Sequence, residues 1–276
     1  MKPVRFDYAR PADLGEAISL GSRSDVTVKY LAGGQSLGPM LNLRLVQSDL
    51  LVDITGIDEL KRAEQTADAL ILGSCITHAD IEDGRVPDVT GGAMRSVAAS
   101  IAYRAVRNRG TVGGSLVHAD PSADWMSSLA ALGAQAVVRG ARGERRISID
   151  QLMVGVFECS LTPGELLTAV EIPKVSAGAR WGYYKHCRKT GELAGAIGAY
   201  FYDPDRSICR AVLGATGTRP LVFNDAKALF GGGTPGGAID RSFIKNAMAG
   251  HGMTDPIGQQ VHVACLKRAI AQAHRA

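Results

Sequence analysis

A pair of glycines, Gly33 and Gly34, closely follows a segment that favours a β-strand, with only Ala32 between them. That segment, Val26 to Leu31, contains β-branched and aromatic residues, which suit a pleated and partly buried surface. Glycines permit positive φ angles and have no Cβ to block a ligand, so the backbone N–H groups leading into Gln35 and Ser36 can converge on an anion. Taken alone, the pattern favours an ordinary turn over a phosphate-binding loop.

A second glycine pair repeats this arrangement. The stretch from Arg109 to Leu116 reads R-G-T-V-G-G-S-L, in which a short β-type step leads into Gly113 and Gly114 and then a hydroxyl residue. Arg107 and Arg109 add positive charge just before it, which favours a bound anion. We expect residues 107–115 to form a loop, and two such loops together favour the binding of a phosphate-containing ligand.

Five short motifs occur in a fixed order along the chain. They are A-G-G-Q-S-L at Ala32 to Leu37, V-R-N-R-G-T-V-G-G-S-L at Val106 to Leu116, H-A-D-P-S-A-D at His118 to Asp124, L-L-T-A-V-E-I-P at Leu166 to Pro173, and Y-K-H-C-R at Tyr184 to Arg188. In this order they resemble the FAD-binding medium subunits of molybdenum hydroxylases, the family of xanthine dehydrogenase and carbon monoxide dehydrogenase. The resemblance covers nearly the whole chain and is more specific than either glycine pair.

The resemblance implies that this chain binds FAD. The two glycine segments would supply N–H donors for the pyrophosphate, with hydroxyl and amide side chains beside them, and a lysine would stabilise the reduced, anionic flavin. The cofactor-binding residues that the resemblance implies are Leu31, Ala32, Gly33, Gly34, Gln35, Ser36, Leu37, Ile101, Thr111, Gly113, Gly114, Ser115, Asp124, Leu167 and Lys185.

Several of these residues have an ordinary structural explanation as well. The hydroxyl residues can cap turns, and Leu167 belongs to an alternating strand that buries leucine in any case. Asp124 can interact with the N-terminal dipole of a helix, and most lysines, including one at position 185, are simply solvated.

The chain departs from xanthine dehydrogenases at one point. Where those proteins carry an aromatic residue over the flavin, this chain has Ile101, and the acidic pair after the lysine is reduced to Gly191 and Glu192. The alignment gives no large aromatic cover. We therefore leave open whether the electron acceptor is NAD or another molecule.

The family resemblance implies an electron-transfer subunit of a heterotrimer. A large subunit would carry the molybdenum cofactor, and a small subunit would carry two [2Fe-2S] clusters. The present chain would pass the electrons from its FAD to an external acceptor, with two heterotrimers forming a dimer. No residue of this chain is predicted to be catalytic towards the substrate.

Two other functions are compatible with parts of the sequence. A stand-alone FAD-dependent oxidase of the vanillyl-alcohol-oxidase type would act directly on an organic substrate, but the final hundred or so residues are short for a substrate domain of usual size. A cofactor-free assembly subunit would not need the glycine pairs.

Composition and cysteine spacing exclude several other classes of protein. The chain has 276 residues, 46% of them hydrophobic, and a net charge of only +4, so we expect a folded core and no nucleic-acid partner. Its five cysteines are widely spaced, which suits reduced thiols and excludes an iron–sulfur or other metal motif in this chain. No signal-peptide core or membrane span is evident, and we expect a cytoplasmic protein.

The pattern predicts an α+β fold in three parts. Two FAD-binding subdomains, resembling those of vanillyl alcohol oxidase, would occupy residues 1–55 and 56–175, and a C-terminal domain with a three-stranded antiparallel sheet and helices would occupy 176–276. Strands are predicted at 26–31, 50–54, 69–72, 135–138, 146–149, 166–172, 180–187, 194–202 and 208–213, and helices at 13–20, 92–104, 122–132, 225–230, 241–248 and 258–274.

Overall fold

The computed structural model describes residues 2–275 and has an α+β architecture. The first part contains a parallel sheet in the strand order β1-β3-β2. Its elements are β1 (Asp7–Ala9), α1 (Leu14–Gly21), β2 (Val28–Leu31), α2 (Leu37–Asn42) and β3 (Leu50–Asp53). Asp13 caps α1 by accepting a hydrogen bond from the Glu16 N–H, as its position before an apolar helix face predicts. Strand β1 was not predicted, because three residues are too few to show a periodicity.

The second part is built on an antiparallel sheet in the order β4-β5-β10-β6-β7. Two short 3₁₀ helices, Ile54–Gly56 and Asp58–Lys61, lead into it. Its strands are β4 (Ala63–Gln65), β5 (Ala69–Gly73), β6 (Gln135–Gly140), β7 (Gly143–Ser148) and β10 (Leu166–Pro173), and β8 (Met153–Gly155) pairs with β9 (Glu158–Cys159) as a separate hairpin. Its helices are α3 (His78–Glu82), α4 (Ala93–Ser100), α5 (Arg104–Arg107), α6 (Val112–His118), α7 (Asp124–Leu132) and α8 (Ile149–Leu152).

Two predicted boundaries in this part were wrong. The helix expected over 92–104 ends at Ser100, because Ile101 is extended and Ala102 has a positive φ of 40°. The loop expected over 107–115 contains instead the first turn of α6, which begins at Val112. Glycine disfavours helix interiors, so a glycine pair gave no signal for a helix there.

The C-terminal part is an antiparallel sheet in the order β11-β12-β13-β14. Its strands are β11 (Arg180–His186), β12 (Ala196–Asp203), β13 (Ile208–Gly214) and β14 (Leu221–Phe223), and its helices are α9 (Arg241–Gly250) and α10 (Pro256–Ala273), with 3₁₀ turns at Pro204–Arg206 and Ala226–Phe230. The three predicted strands are present, but the described sheet has a fourth. The sequence prediction missed β14 because it is only three residues long.

Helix α7 joins the second and third parts through a shared core. All of its side chains are buried, and Trp125 and Leu129 belong to the same apolar cluster as Phe201 and Val212 of the C-terminal sheet. The other face of that sheet packs against α10. This arrangement brings the start of α7, at Asp124, up to strand β11.

Candidate functional site

The first glycine pair forms a turn between β2 and α2. Gly34 has a φ of +70°, a conformation that side chains disfavour, and its carbonyl accepts a hydrogen bond from the Gly38 N–H. The Gln35 amide lies near the Gly33 carbonyl, at 3.3 Å. Ser36 stands at the N-cap of α2 without making a side-chain capping bond, and both Gln35 and Ser36 are exposed. Capping therefore does not account for this serine.

The second glycine pair lies in the first turn of α6. Thr111 caps this helix by accepting a hydrogen bond from the Gly114 N–H at 3.0 Å, so its buried hydroxyl has an ordinary structural role. A Cβ on Gly113 would overlap the Cβ of Ser74 in the chain that follows β5. Gly114, by contrast, is exposed, and Ser115 beside it is half-buried.

The two glycine segments lie side by side, although they come from different sheets. A Cβ on Gly33 would overlap the carbonyl oxygen of Arg109 and lie 2.8 Å from the Cα of Gly110. A Cβ on Gly114 would lie 3.7 Å from that of Ala32. The structure therefore brings together predicted site residues that are about eighty positions apart in the sequence.

A buried histidine supports the second segment, and sequence reasoning did not include it. The backbone N–H of His78 donates a hydrogen bond to the Gly110 carbonyl, and the imidazole ring of His78 lies directly beside Gly110. The indole N–H of Trp125 donates to Nδ1 of His78 at 3.0 Å. Burial, with a smaller effect from Arg107, lowers the pKa of His78 to about 4, so the ring is neutral at pH 7. The only signal was the Thr77-His78 pair, which opens α3 as its sequence suggested.

Of the two arginines before the second glycine pair, only one is available to a ligand. Arg107 makes a bidentate ion pair with Glu82, at 2.7 and 2.8 Å, and also donates to the carbonyls of Ile101 and Ala102. Arg109 is exposed, and its side chain makes no hydrogen bond or ion pair to residues 2–275. Of these two guanidinium groups, that of Arg109 is therefore the one not already paired within residues 2–275.

A second group of predicted residues meets at the start of α7. Lys185 on β11 donates to Oδ1 of Asp124 and to the Ser100 carbonyl, both at 2.8 Å. The Tyr183 hydroxyl donates to the same Oδ1 at 2.6 Å. The side chains of Lys185 and Asp124 are only 10% and 8% exposed, so this is a buried ion pair and not a solvated lysine. Burial and the nearby carboxylate raise the pKa of Tyr183 well above its usual range.

The remaining predicted residues differ in exposure. Ile101 is half-buried and follows Ser100, which places it beside the Lys185 contact. Two positions on, the ring of Tyr103 lies against Gly191 and is 61% exposed, so an aromatic side chain does occur near this point. Leu31 and Leu37 are half-buried at the ends of β2 and α2. Leu167 is 2% exposed and packs in the core, so it offers the least surface to a ligand.

A metal site and a membrane-spanning helix are both absent from the described part of the chain. Between residues 2 and 275, no cluster of three or more histidine, cysteine or acidic side chains is placed to hold a metal ion. Over the same range, no helix combines the length and the apolar character that crossing a bilayer requires.

Comparison with known proteins gives consistent results at the level of domain, sequence and structure. Residues 4–175 match the model of the FAD binding domain in molybdopterin dehydrogenase. Caffeine dehydrogenase subunit beta of Pseudomonas sp. (strain CBB1) is 34% identical over 228 residues, covering 81% of this chain and 77% of that one. The structure resembles a chain of carbon monoxide dehydrogenase from Hydrogenophaga pseudoflava, with a TM-score of 0.85 and 28% identity over 99% of this chain and 98% of that chain. It also resembles a chain of quinoline 2-oxidoreductase from Pseudomonas putida 86, with a TM-score of 0.84 and 32% identity at the same coverage.

Proposed function

The chain belongs to the family of FAD-binding domains of molybdopterin dehydrogenases, as a medium subunit of the molybdenum hydroxylase type, and we propose that it carries electrons within a heterotrimer. In this proposal the FAD receives electrons from two [2Fe-2S] clusters on a small subunit and passes them to an external acceptor. Substrate is oxidised at the molybdenum cofactor of a large subunit, and two heterotrimers form a dimer.

The exposed position of Gly114 supports FAD binding most directly. This glycine lies in the first turn of α6, where a Cβ would lie 2.8 Å from Thr111 Oγ1 and 3.7 Å from the Cβ of Ala32. The contact with Thr111 is one structural reason for a glycine here. Its exposure beside the first glycine segment also leaves the backbone open to close approach by a ligand, as in other nucleotide-binding turns.

The other residues fit a flavin dinucleotide. We assign the pyrophosphate to the exposed edge formed by Gly34, Gln35, Ser36, Gly114 and Ser115. The first segment offers the backbone N–H groups of Gln35 and Ser36 as donors. The N–H groups of Gly114 and Ser115 already donate to Thr111, so the second segment offers the Ser115 hydroxyl and a backbone without a bulky neighbour.

The remaining members of the proposed site lie around this edge or towards the start of α7. Ala32, Gly33 and Gly113 form the close packing behind the edge, whereas Ile101, Asp124 and Lys185 form the second end of the site. Leu31, Leu37, Thr111 and Leu167 are the other residues that the family resemblance assigns to the site. The division of the chain at residues 55 and 175 is part of the same proposal.

When bound, FAD supplies the ability to exchange electrons in one- and two-electron steps. The protein contributes the charges and the shape of the surroundings in which FAD would exchange these electrons. Lys185 and Asp124 form a buried pair with no net charge, and Tyr183 keeps its proton because its pKa is raised. We also propose a cytoplasmic location, which the five unpaired cysteines favour.

Purification from the native host under mild conditions tests this function, with subunit composition, visible spectrum and metal content measured on one sample. We expect flavin in this chain and co-purification with a large molybdenum-containing chain and a small iron–sulfur chain. A lone yellow protein that oxidises an organic substrate by itself would support the stand-alone oxidase instead. A colourless chain in the same complex would support an assembly subunit.

A further inference from the structure

The two carboxylate oxygens of Asp124 differ in their hydrogen bonds. Its Oδ1 accepts hydrogen bonds from both Tyr183 and Lys185, whereas its Oδ2 accepts none from residues 2–275. Asp124 is 7% exposed, and its Oδ2 keeps part of that exposure, because it is not one of the fully buried side-chain oxygens that lack a partner. A carboxylate oxygen that reaches the surface and has no donor from the protein can accept a hydrogen bond from a bound molecule.

Tyr183 is held firmly enough to fix the carboxylate. Its backbone N–H donates to Oε1 of Gln272 on α10, and its ring stacks parallel to that of Trp181 at a centroid distance of 6.3 Å. Tyr183 and Lys185 are two positions apart on β11, so they project from the same face of the sheet. Lys185 alone would balance the charge of Asp124. The tyrosine adds no charge. Its hydroxyl donates a second hydrogen bond to Oδ1 from a different direction, and the two bonds together restrict rotation of the carboxylate.

We propose that Tyr183 is a positioning residue for the cofactor: together with Lys185 it occupies Oδ1 of Asp124, so that Oδ2 is presented to accept a hydrogen bond from FAD. This inference rests on the proposed FAD-binding function. It assigns to Tyr183 an effect that operates through Asp124 and not through direct contact with the flavin.

Tyr183→Phe in the full-length chain tests the proposal, with Tyr184→Phe as the matched control. Tyr184 is the next residue on the strand, and its hydroxyl accepts a hydrogen bond from Arg268 at 3.1 Å. We expect Tyr183→Phe to weaken FAD binding about tenfold, because a freely rotating carboxylate would lose most of the charged hydrogen bond from FAD to Oδ2. The midpoint potential of the bound flavin should become more negative, because the Asp124 carboxylate loses a donor. Tyr184→Phe should leave both quantities unchanged.

An Asp124→Asn background shows whether the tyrosine acts through the aspartate. Asp124→Asn should itself weaken FAD binding, because the amide nitrogen replaces an acceptor, and Tyr183→Phe should then have no additional effect. Wild-type affinity and potential in Tyr183→Phe, or an equal loss in both backgrounds, would overturn the proposal. Should Tyr183→Phe fold poorly, undiminished FAD affinity in Asp124→Asn would overturn it as well. A wild-type chain that binds no FAD would instead refute the underlying function.

Discussion

The two glycine pairs contain similar residues but adopt different backbone conformations. Gly34 occupies the left-handed region in a turn, whereas Gly113 and Gly114 lie in the first turn of a helix. The packing behind them is alike, because Gly33 and Gly113 each leave no room for a Cβ. Three reasons for a glycine differ here: conformation at Gly34, close packing at Gly33 and Gly113, and the nearby Thr111 hydroxyl at Gly114, where we also propose close approach of the flavin.

The largest effect should come from Gly33→Ala. Its Cβ would overlap a backbone carbonyl, that of Arg109, which cannot move without displacing the second segment. We expect a loss of about 3 kcal/mol in the free energy of unfolding together with loss of bound flavin. Urea denaturation and FAD content measure the two effects. Gly38→Ala is the control, since nothing lies within 4 Å of a Cβ at that position. Equal stability of the two variants would mean that the segments do not pack as described.

Acid should weaken the second segment through His78. Its pKa falls from an ordinary value of 6.5 to about 4 on folding, so the unfolded chain binds the proton more tightly. The stabilisation is complete above pH 6.5 and is lost as the pH falls towards 4, by roughly 3 kcal/mol in total. Urea denaturation of the wild type and His78→Gln between pH 7 and pH 4.5 measures this loss. A pH dependence that is the same in both proteins would contradict the assignment.

Gly34→Ala should cost about 1 to 2 kcal/mol, because the left-handed conformation strains a side chain. Gly34→Asn should cost less, since asparagine tolerates this region better than alanine. Thermal or urea denaturation of the two variants tests the conformational explanation. If alanine is no worse than asparagine, the turn does not depend on the positive φ of Gly34.

The smallest change in stability should occur in Gly114→Ala, which nevertheless should bind FAD at least about tenfold more weakly. The added methyl group displaces the Thr111 cap but improves helix propensity, so stability should stay within about 1 kcal/mol of the wild type. A fluorescence titration with FAD and a denaturation curve give both values. Unchanged affinity in this variant would exclude close contact between the flavin and this glycine.

Local chemistry made much of the fold predictable from the sequence. The Asp13 cap, the strand from Leu166 to Pro173 and the turn after Leu31 each depend on neighbouring residues, and the structure confirms them. The expected alternation in that strand was wrong, because its first five residues are all buried. The start of α6 was not predictable in the same way. Its helical conformation depends on the Thr111 cap and on packing against Ser74, which outweigh the low helix propensity of two glycines.

Contacts between distant residues could not be read from the sequence. The resemblance singled out Asp124 and Lys185 separately, but nothing in their spacing predicted the buried ion pair between them. Arg107 was expected to favour an anion, and only the fold shows that Glu82 already occupies it. The same holds for His78, whose Nδ1 accepts a hydrogen bond from a tryptophan forty-seven positions away.

Hydrogen exchange of the full-length chain with and without FAD shows whether the two glycine pairs form one flavin site. We expect FAD to slow amide exchange in both glycine segments at once, around Gly33 to Ser36 and around Gly113 to Ser115, and also at the start of α7. Protection that is confined to one segment, or that occurs elsewhere in the chain, would contradict a flavin site formed by the two glycine pairs together.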